Sequence, residues 1–546
     1  MAAHRRKLVA FVSATLFVTA ACASDTDGRR GAESAATLPV VTPPGSASVD
    51  RVTWALPYGE PDTLDPAKTV NYSEQTVTAN LCETLLRVNP DFSTVPGLAE
   101  RIDWKDDHSL VIDLRPGVRF WDGTPMRPQD VVYSLKRQSD PQTGGLYGDY
   151  LSTVTSIDVT GPNQVTLRTK AYDQVLVKSL STPFGAVVQE AHARTSGPTF
   201  GKPGGGLMCT GPYKLGSWQA GQAITLQRND SYWDPQVSPK AAQVDFRFIT
   251  DSGALTRALA SGEVDGAYEV PPATAAALAD AKSGTVNQGP STQNLLLVPA
   301  TSDSPAADRR LLEALSLVLD REALIDKVFD GAADPLKTLI PRTMWTADLA
   351  GPQLTTAYDL LPDAPGPSVK RAKELLSEVG IPSHPLVVAA TAGDQGSVQT
   401  AEFLKSAAAK IGVAIDVRTI PATQMTALSY DPAIRRGFDL VVTFGYVGAD
   451  ALTYLGALTD PDGAFNWANY HDPDVTRLLD QARTTPDLST GAQSFVDAQA
   501  RYTASAKLIF LAAPYEQMFL NRRISGAPSS FAYLSMPWAA SIGGTA

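Results

Sequence analysis

Few of the residues that could do chemistry stand at spacings that would let them do it. The 546-residue chain has three cysteines, Cys22, Cys82 and Cys209, and beyond its first 21 residues the histidines are His108, His192, His384 and His471. Metal ligation by histidine favours two rings on one face of an element, as His-x-x-x-His supplies, and these four are too widely separated for that. There is no Gly-x-Ser-x-Gly elbow to raise a serine nucleophile, no phosphate-cradling loop ending in Gly-Lys-Ser/Thr and no Gly-x-Gly-x-x-Gly fingerprint. Carboxylates are plentiful, but their scatter points to no particular glycosidase pair. The expectation is a protein that is not an enzyme and uses no metal or cofactor. The formal net charge of −11 argues against nucleic acid and anionic lipid heads as partners.

The elements that would position a site alternate between strand and helix. Residues 109–114 alternate apolar and polar side chains as a half-buried strand does, 118–120 start a second, and Asp122 and Gly123 form a turn. Asp130 stands where a helix N-cap would, with Val131, Val132 and Leu135 at helical spacing behind it. Residues 51–56 read as the first strand and 73–86 as a helix, with strands again over 154–167. The glycine-rich stretch 201–206 reads as a loop, and Gly262 suits the left-handed position that ends a helix. From 294 onward, strands at 294–298, 386–390, 413–417 and 438–443 alternate with helices at 311–318, 368–380, 398–411 and 492–506. This is an α/β pattern around a largely buried sheet. A body of roughly 500 residues exceeds one hydrophobic core, so more than one lobe is expected.

The N-terminus has the form of a bacterial lipoprotein signal. Arg5, Arg6 and Lys7 precede an apolar stretch over 8–18, and Ala20 and Ala21 lead directly into Cys22. In that class the cysteine thiol is lipidated and becomes the new N-terminus. Removal of residues 1–21 would take the net charge to −14. Residues 22–50, rich in Ser, Thr, Ala, Gly, Pro and Asp, read as a flexible tether. The expected location is the outer face of a bacterial cell membrane.

Several ordered segments carry a resemblance. They are Leu64-Asp65-Pro66, Pro96-Gly97-Leu98-Ala99-Glu100, Arg115-Pro116-Gly117-Val118-Arg119-Phe120-Trp121-Asp122-Gly123, Asp130 to Arg137, Cys209-Thr210-Gly211-Pro212-Tyr213, Arg228-Asn229-Asp230-Ser231-Tyr232-Trp233, Gly262-Glu263-Val264-Asp265-Gly266, and Asp320-Arg321-Glu322. In this order they resemble the extracellular solute-binding proteins of the peptide and nickel class, family 5, the receptors of ABC importers. The resemblance implies a two-lobed periplasmic-binding-protein-like fold (type II, the large cluster C form) with a hinge. It places lobe 1 at 51–290 with an inserted subdomain at about 93–204, lobe 2 at 291–506, and a return to lobe 1 over about 507–546, beginning with a strand at 508–511. Cys82 and Cys209 lie in segments the family brings together; they would be a disulfide or two buried thiols.

The resemblance also implies where a ligand would sit. In peptide binders of the class an aromatic and then an aspartate follow a buried strand, and the aspartate pairs with the ligand's α-amino group. The matching residues are Tyr446 and Asp450, with Tyr454 beyond; Asp450 falls about one residue later than that pattern. Asn71 and Tyr72, and Asn466 and Trp467, are further cleft candidates. The implied function is a monomeric, lipid-anchored receptor that captures di- or oligopeptides and hands them to an ABC permease and its ATPase. The alternatives are the same fold with a glycan, haem-like or lipid-linked sugar ligand, or a lipoprotein that regulates envelope synthesis without transport.

Overall fold

In the computed structural model, residues 38–346, 350–448 and 450–545 are described. Cys22, the signal and tether residues 22–37 lie outside them. Among the described residues the strands form two large mixed sheets, a four-stranded antiparallel one and two short two-stranded ones. In the first sheet, Val49–Leu56 runs parallel to Ala241–Phe248 and to the short strand Gly266–Ala267. Glu516–Asn521 then pairs antiparallel with Gly266–Ala267 and with Gly284–Gly289. In the second, Gln293–Pro299 lies between Leu440–Tyr446 and Ile509–Pro514, antiparallel to both. Leu386–Thr391 and Ile415–Ile420 extend that sheet in parallel.

The sheets are hydrophobic because they are covered. Every residue of Gln293–Pro299 and of Glu516–Asn521 is buried, which is why the apolar run in each lacks a two-residue period. Helices Arg309–Ser316, Val369–Val379 and Gln395–Ala409 lay Leu311, Leu315, Leu375, Leu376 and Leu404 against the second sheet. The four-stranded antiparallel sheet, built from Ala99–Asp106, Ser109–Leu114, Val154–Gly161 and Gln164–Thr169, has its own core of Leu110, Ile112, Val165 and Leu167.

The sequence motifs prove to be joints between these pieces. Asp65 receives both guanidinium nitrogens of Arg137, at 2.7 and 2.8 Å, with both side chains buried. Gly201 is required beside this pair: its φ is +72°, and a Cβ there would meet the Asp65 amide nitrogen at 2.3 Å. Glu83, also buried, accepts from Arg87 (2.7 Å), Tyr232 (2.6 Å), Thr210 (2.8 Å) and Trp233 (2.7 Å), so one carboxylate ties two of the motifs together. Arg321 donates to the Phe510 carbonyl at 2.9 Å.

Several expectations change. Residues 38–50 do not behave as a tether: Thr42 bonds Ala527, the Val41 and Ala47 backbones bridge Pro528 and Gly544, and Val49 begins the first strand. The strand expected to return the chain to the first lobe, Ile509–Pro514, belongs to the second sheet, and the crossing comes at Tyr515. Asp130 is not the N-cap but the third residue of helix Pro128–Lys136, accepting from the amides of Arg127 and Glu190. The helix expected over 73–86 is the shorter Tyr72–Thr78, because Glu83 to Leu86 turn to form joints rather than continue it. Residues 118–120 form only an isolated bridge from Arg119 to Pro125. Gly262 does end helix Ser252–Ser261 in the left-handed conformation.

Cys82 and Cys209 form a disulfide, closing a separation of 127 residues. Constraining a loop of that length in the unfolded chain stabilises the fold by about 5 kcal/mol. The Cys82→Ser/Cys209→Ser double variant should therefore lose about that much in urea unfolding, and the difference should vanish when both proteins are measured under reducing conditions.

Candidate functional site

Between the two large sheets lies a cavity of about 460 Å³. One wall comes from the first sheet's side: Gln75, Tyr147, Tyr150, Lys178, Thr182 and Phe531. The other comes from the second sheet's side: Thr292, Met344, Tyr446 and Val447. The volume falls in the range of small-molecule sites, and the lining is of the usual kind, aromatic rings with a few polar groups.

Tyr446 is the centre of this arrangement. It ends the buried strand Leu440–Tyr446, which carries its ring across to the other lobe. Its hydroxyl accepts from Gln75 Nε2 at 3.0 Å and donates to the Val70 carbonyl at 3.1 Å. Its ring packs against Tyr72 (5.7 Å between centroids) and Phe531 (5.5 Å). Burial pushes the phenol above its usual range, so it stays a neutral donor and acceptor. Tyr72 in turn stacks on Tyr58 at 4.6 Å.

Asp450 takes a different role from the one expected. It is buried and caps helix Ala451–Thr459, accepting from the amide and the hydroxyl of Thr453, each at 2.8 Å. It lines a separate small chamber with Gln174, Leu452 and Met344, and Met344 also lines the main cavity. Burial raises its carboxyl; the Thr453 amide and then the positive charge of Lys178 oppose that rise. Asp450 is thus already matched by protein groups.

The other expected residues are distributed as follows. Asn71 caps helix Tyr72–Thr78 and exchanges bonds with Glu74 in a capping box. Tyr454 donates to Asn294 Oδ1 at 3.1 Å, over Gly445, where a Cβ would sit 2.7 Å from the Tyr454 hydroxyl. Asn466 organises its own loop, bonding the Asp460 carbonyl and both backbone groups of Tyr470. Trp467 sits in the second lobe's core under Arg435. Neither Asn466 nor Trp467 lines the cavity. Sequence reasoning missed Gln75, Tyr147, Tyr150, Lys178 and Phe531, which belong to segments far apart in the chain and to no motif but a helix pattern. No group of three or more His, Cys, Asp or Glu side chains gathers among the described residues in a way that could hold a metal.

The lobes also meet outside the cavity. Arg483, on helix Pro473–Thr484, bonds both carboxylate oxygens of Asp173 at 3.0 and 2.7 Å, and the Asp173 side chain is fully buried. Thr153 and the Val175 amide complete its partners. Gln174 Nε2 reaches the Ala482 carbonyl at 2.6 Å. This contact latches the lobes in the arrangement seen.

Comparison with known proteins gives a consistent picture. Residues 93–466 match the family described as bacterial extracellular solute-binding proteins, family 5. The chain is 24% identical over 476 residues to the glutathione-binding protein GsiB of Pectobacterium atrosepticum, covering 85% of this chain and 89% of that one. AgaA from A. tumefaciens R10, solved with agropinic acid, superposes with a TM-score of 0.76 at 23% identity, over 91% of this chain and 99% of that one. The murein tripeptide binding protein MppA of Escherichia coli superposes at 0.75 with 20% identity, over 92% and 100% of the two chains. A structure of MppA in its unliganded open form superposes at 0.68, with 21% identity over 93% and 99%.

Arg483→Ala would strand Asp173 without its partner, a loss on the order of 3 kcal/mol for a buried pair. Separating the lobes would hydrate Asp173. The variant should therefore show a larger radius of gyration in solution scattering without loss of secondary structure.

Proposed function

We propose that this chain, which belongs to the bacterial extracellular solute-binding proteins of family 5, is a lipid-anchored receptor that encloses a short peptide between its lobes and delivers it to an ABC permease. Proteins of this family are extracytoplasmic; they bind a ligand and work with the permease and ATPase components of ABC importers. The observation that carries the reading is the cavity of about 460 Å³ whose walls come from both lobes, with Tyr446 bonded across it to Gln75 and Val70. A site assembled from two bodies exists in full only when they are together, so a ligand that touches both walls favours closure by its differential contacts.

The lining supports recognition mainly through hydroxyl, amide and aromatic groups, with one carboxylate, Asp91, and one cation, Lys178, among them, and Asp450 is not part of it. Asp450 spends its oxygens on Thr453, and the cationic Lys178 lines the cavity. A peptide held along its backbone fits such a wall, since those bonds tolerate varied side chains. A glutathione-binding protein and a structure with agropinic acid stand among the similar proteins, which supports a second reading in which the ligand is a small polar molecule other than a peptide. Lipid attachment would be through Cys22.

Native mass spectrometry of the protein purified from residue 23 onward tests the reading. Bound masses that dissociate as short peptides support it; a single non-peptide mass selects the second reading. A protein that stays unliganded after incubation with peptide pools turns the assignment towards a lipoprotein without transport.

Two variants follow. Tyr446→Phe removes both cross-lobe bonds, each worth about 1 kcal/mol net, and should weaken peptide binding roughly thirtyfold in calorimetry. Asp450→Asn keeps a capping side chain and should leave the ratio of affinities for a free-amine peptide and its N-acetylated form unchanged; a selective loss for the free amine would restore Asp450 as an amine site.

A further inference from the structure

Where the chain passes between the large sheets, two acids meet. Glu269 follows strand Gly266–Ala267, and Glu516 stands one residue after the crossing at Tyr515. The Glu269 amide donates to Glu516 Oε1 at 2.9 Å, which sets the two acids side by side. Gln293, the first residue of the second sheet's central strand, donates Nε2 to Glu269 Oε2 at 2.7 Å. Thus the pair touches both connections between the lobes. Glu516 is 1% exposed, and the oxygens Glu269 Oε1 and Glu516 Oε2 are shut off from solvent with no hydrogen-bond partner. Glu269 is held at φ +53°, an uncommon conformation for a residue with a side chain.

Two negative charges on adjacent acids repel strongly in a buried place, and a proton held between the two unpartnered oxygens would satisfy both and remove that repulsion. The titratable groups facing the pair are Tyr268 beside Glu269, Tyr533 in the C-terminal turn, Tyr72 on helix Tyr72–Thr78 and Tyr58 after the first strand; Asp394 faces Tyr58 from the second lobe. None of these is a cation. Tyr268 and Tyr533 are stacked at 3.7 Å, which closes the pair off with rings rather than with compensating charge.

We propose that Glu269 and Glu516 share one proton and that this carboxyl pair is a proton-binding site at the hinge, which ties lobe closure to the pH outside the cell. With the proton present, the pair joins the two crossing strands. When it leaves to solvent, both side chains are charged, and the relief available is hydration, reached by moving Glu516 and Gln293 away from Glu269. Burial, and for Glu516 also the neighbouring charge, raises both carboxyls above the ordinary glutamate range. The sign follows: the stabilisation is complete below the ordinary glutamate value and is lost as pH rises through the raised one. Opening returns the pair towards the ordinary value, so closure takes up a proton. A link to ligand capture rests on the proposed receptor role; the shared proton does not.

The test uses the full chain without ligand, so its outcome does not depend on what the cleft binds. Thermal midpoint and radius of gyration are measured at pH 5 and pH 8.5 for the wild type and for Glu516→Gln, whose amide can donate to Glu269 without titrating. The wild type should lose thermal midpoint and expand at the higher pH, and the variant should show a flatter profile in both. Equal pH profiles overturn the proposal. Should Glu516→Gln fail to fold, infrared spectra of the wild type decide: a protonated carboxyl band persisting at pH 7 is expected, and its absence overturns the shared proton. A rise in midpoint specific to sodium, potassium or calcium at equal ionic strength would mean that a metal ion bridges the pair instead.

Discussion

Everything in this molecule is arranged around one antiparallel ribbon. Gly284–Gly289 pairs with Glu516–Asn521 in the first sheet, and Gln293–Pro299 pairs with Ile509–Pro514 in the second. The same two strands therefore run through both sheets, interrupted only at residues 290–292 and at Tyr515. A two-stranded ribbon resists stretching, because its ladder bonds hold register, but it twists and bends at a break in the ladder. The lobes can thus change their angle without changing their neighbours. It also explains why the strand Ile509–Pro514 lies where it does: a crossing made before it would leave the second sheet's central strand with a bare edge.

Polar groups that a small protein would leave on its surface are used here inside, as fasteners between parts. Asp65, Arg137 and Glu83 are buried, and both oxygens of each carboxylate are bonded. Such groups add little net stability compared with well-packed apolar side chains, yet removing one partner alone is costly. They enforce one arrangement among many similar apolar ones. The cleft is built on the same economy, with Tyr446 reaching from the second lobe to Gln75 on a helix whose capping box fixes its start.

The sheets and helices were legible because their periodicity is local, and the family because its joints recur in order along the chain. Helix ends were less so: the run over 73–86 has helical spacing, but the demand on Glu83 for four partners stops the helix at Thr78. The cavity was mostly illegible. Lys178, Phe531 and Tyr150 meet only through tertiary structure, and nothing in their own neighbourhoods marks them. Asp450 shows the opposite failure, since a residue at a telling position can serve its own helix terminus instead. A faint signal existed for the hinge acids: Glu269 lies in Ala267-Tyr268-Glu269-Val270-Pro271 and Glu516 before Gln517-Met518-Phe519, acids where the surroundings are apolar.

The depth of the Arg483–Asp173 contact bears on the surroundings in which the protein works. Ion pairs on a surface weaken as salt accumulates, since the screening length shortens to a few ångströms at high concentration. Asp173 has no exposed side-chain surface, while Arg483 is 28% exposed, so mobile ions reach the pair only from the guanidinium side. The bond that holds the lobes together is therefore partly insulated from ionic strength, and a cell moving between dilute and saline surroundings keeps nearly the same balance between shut and open forms as far as that bond sets it.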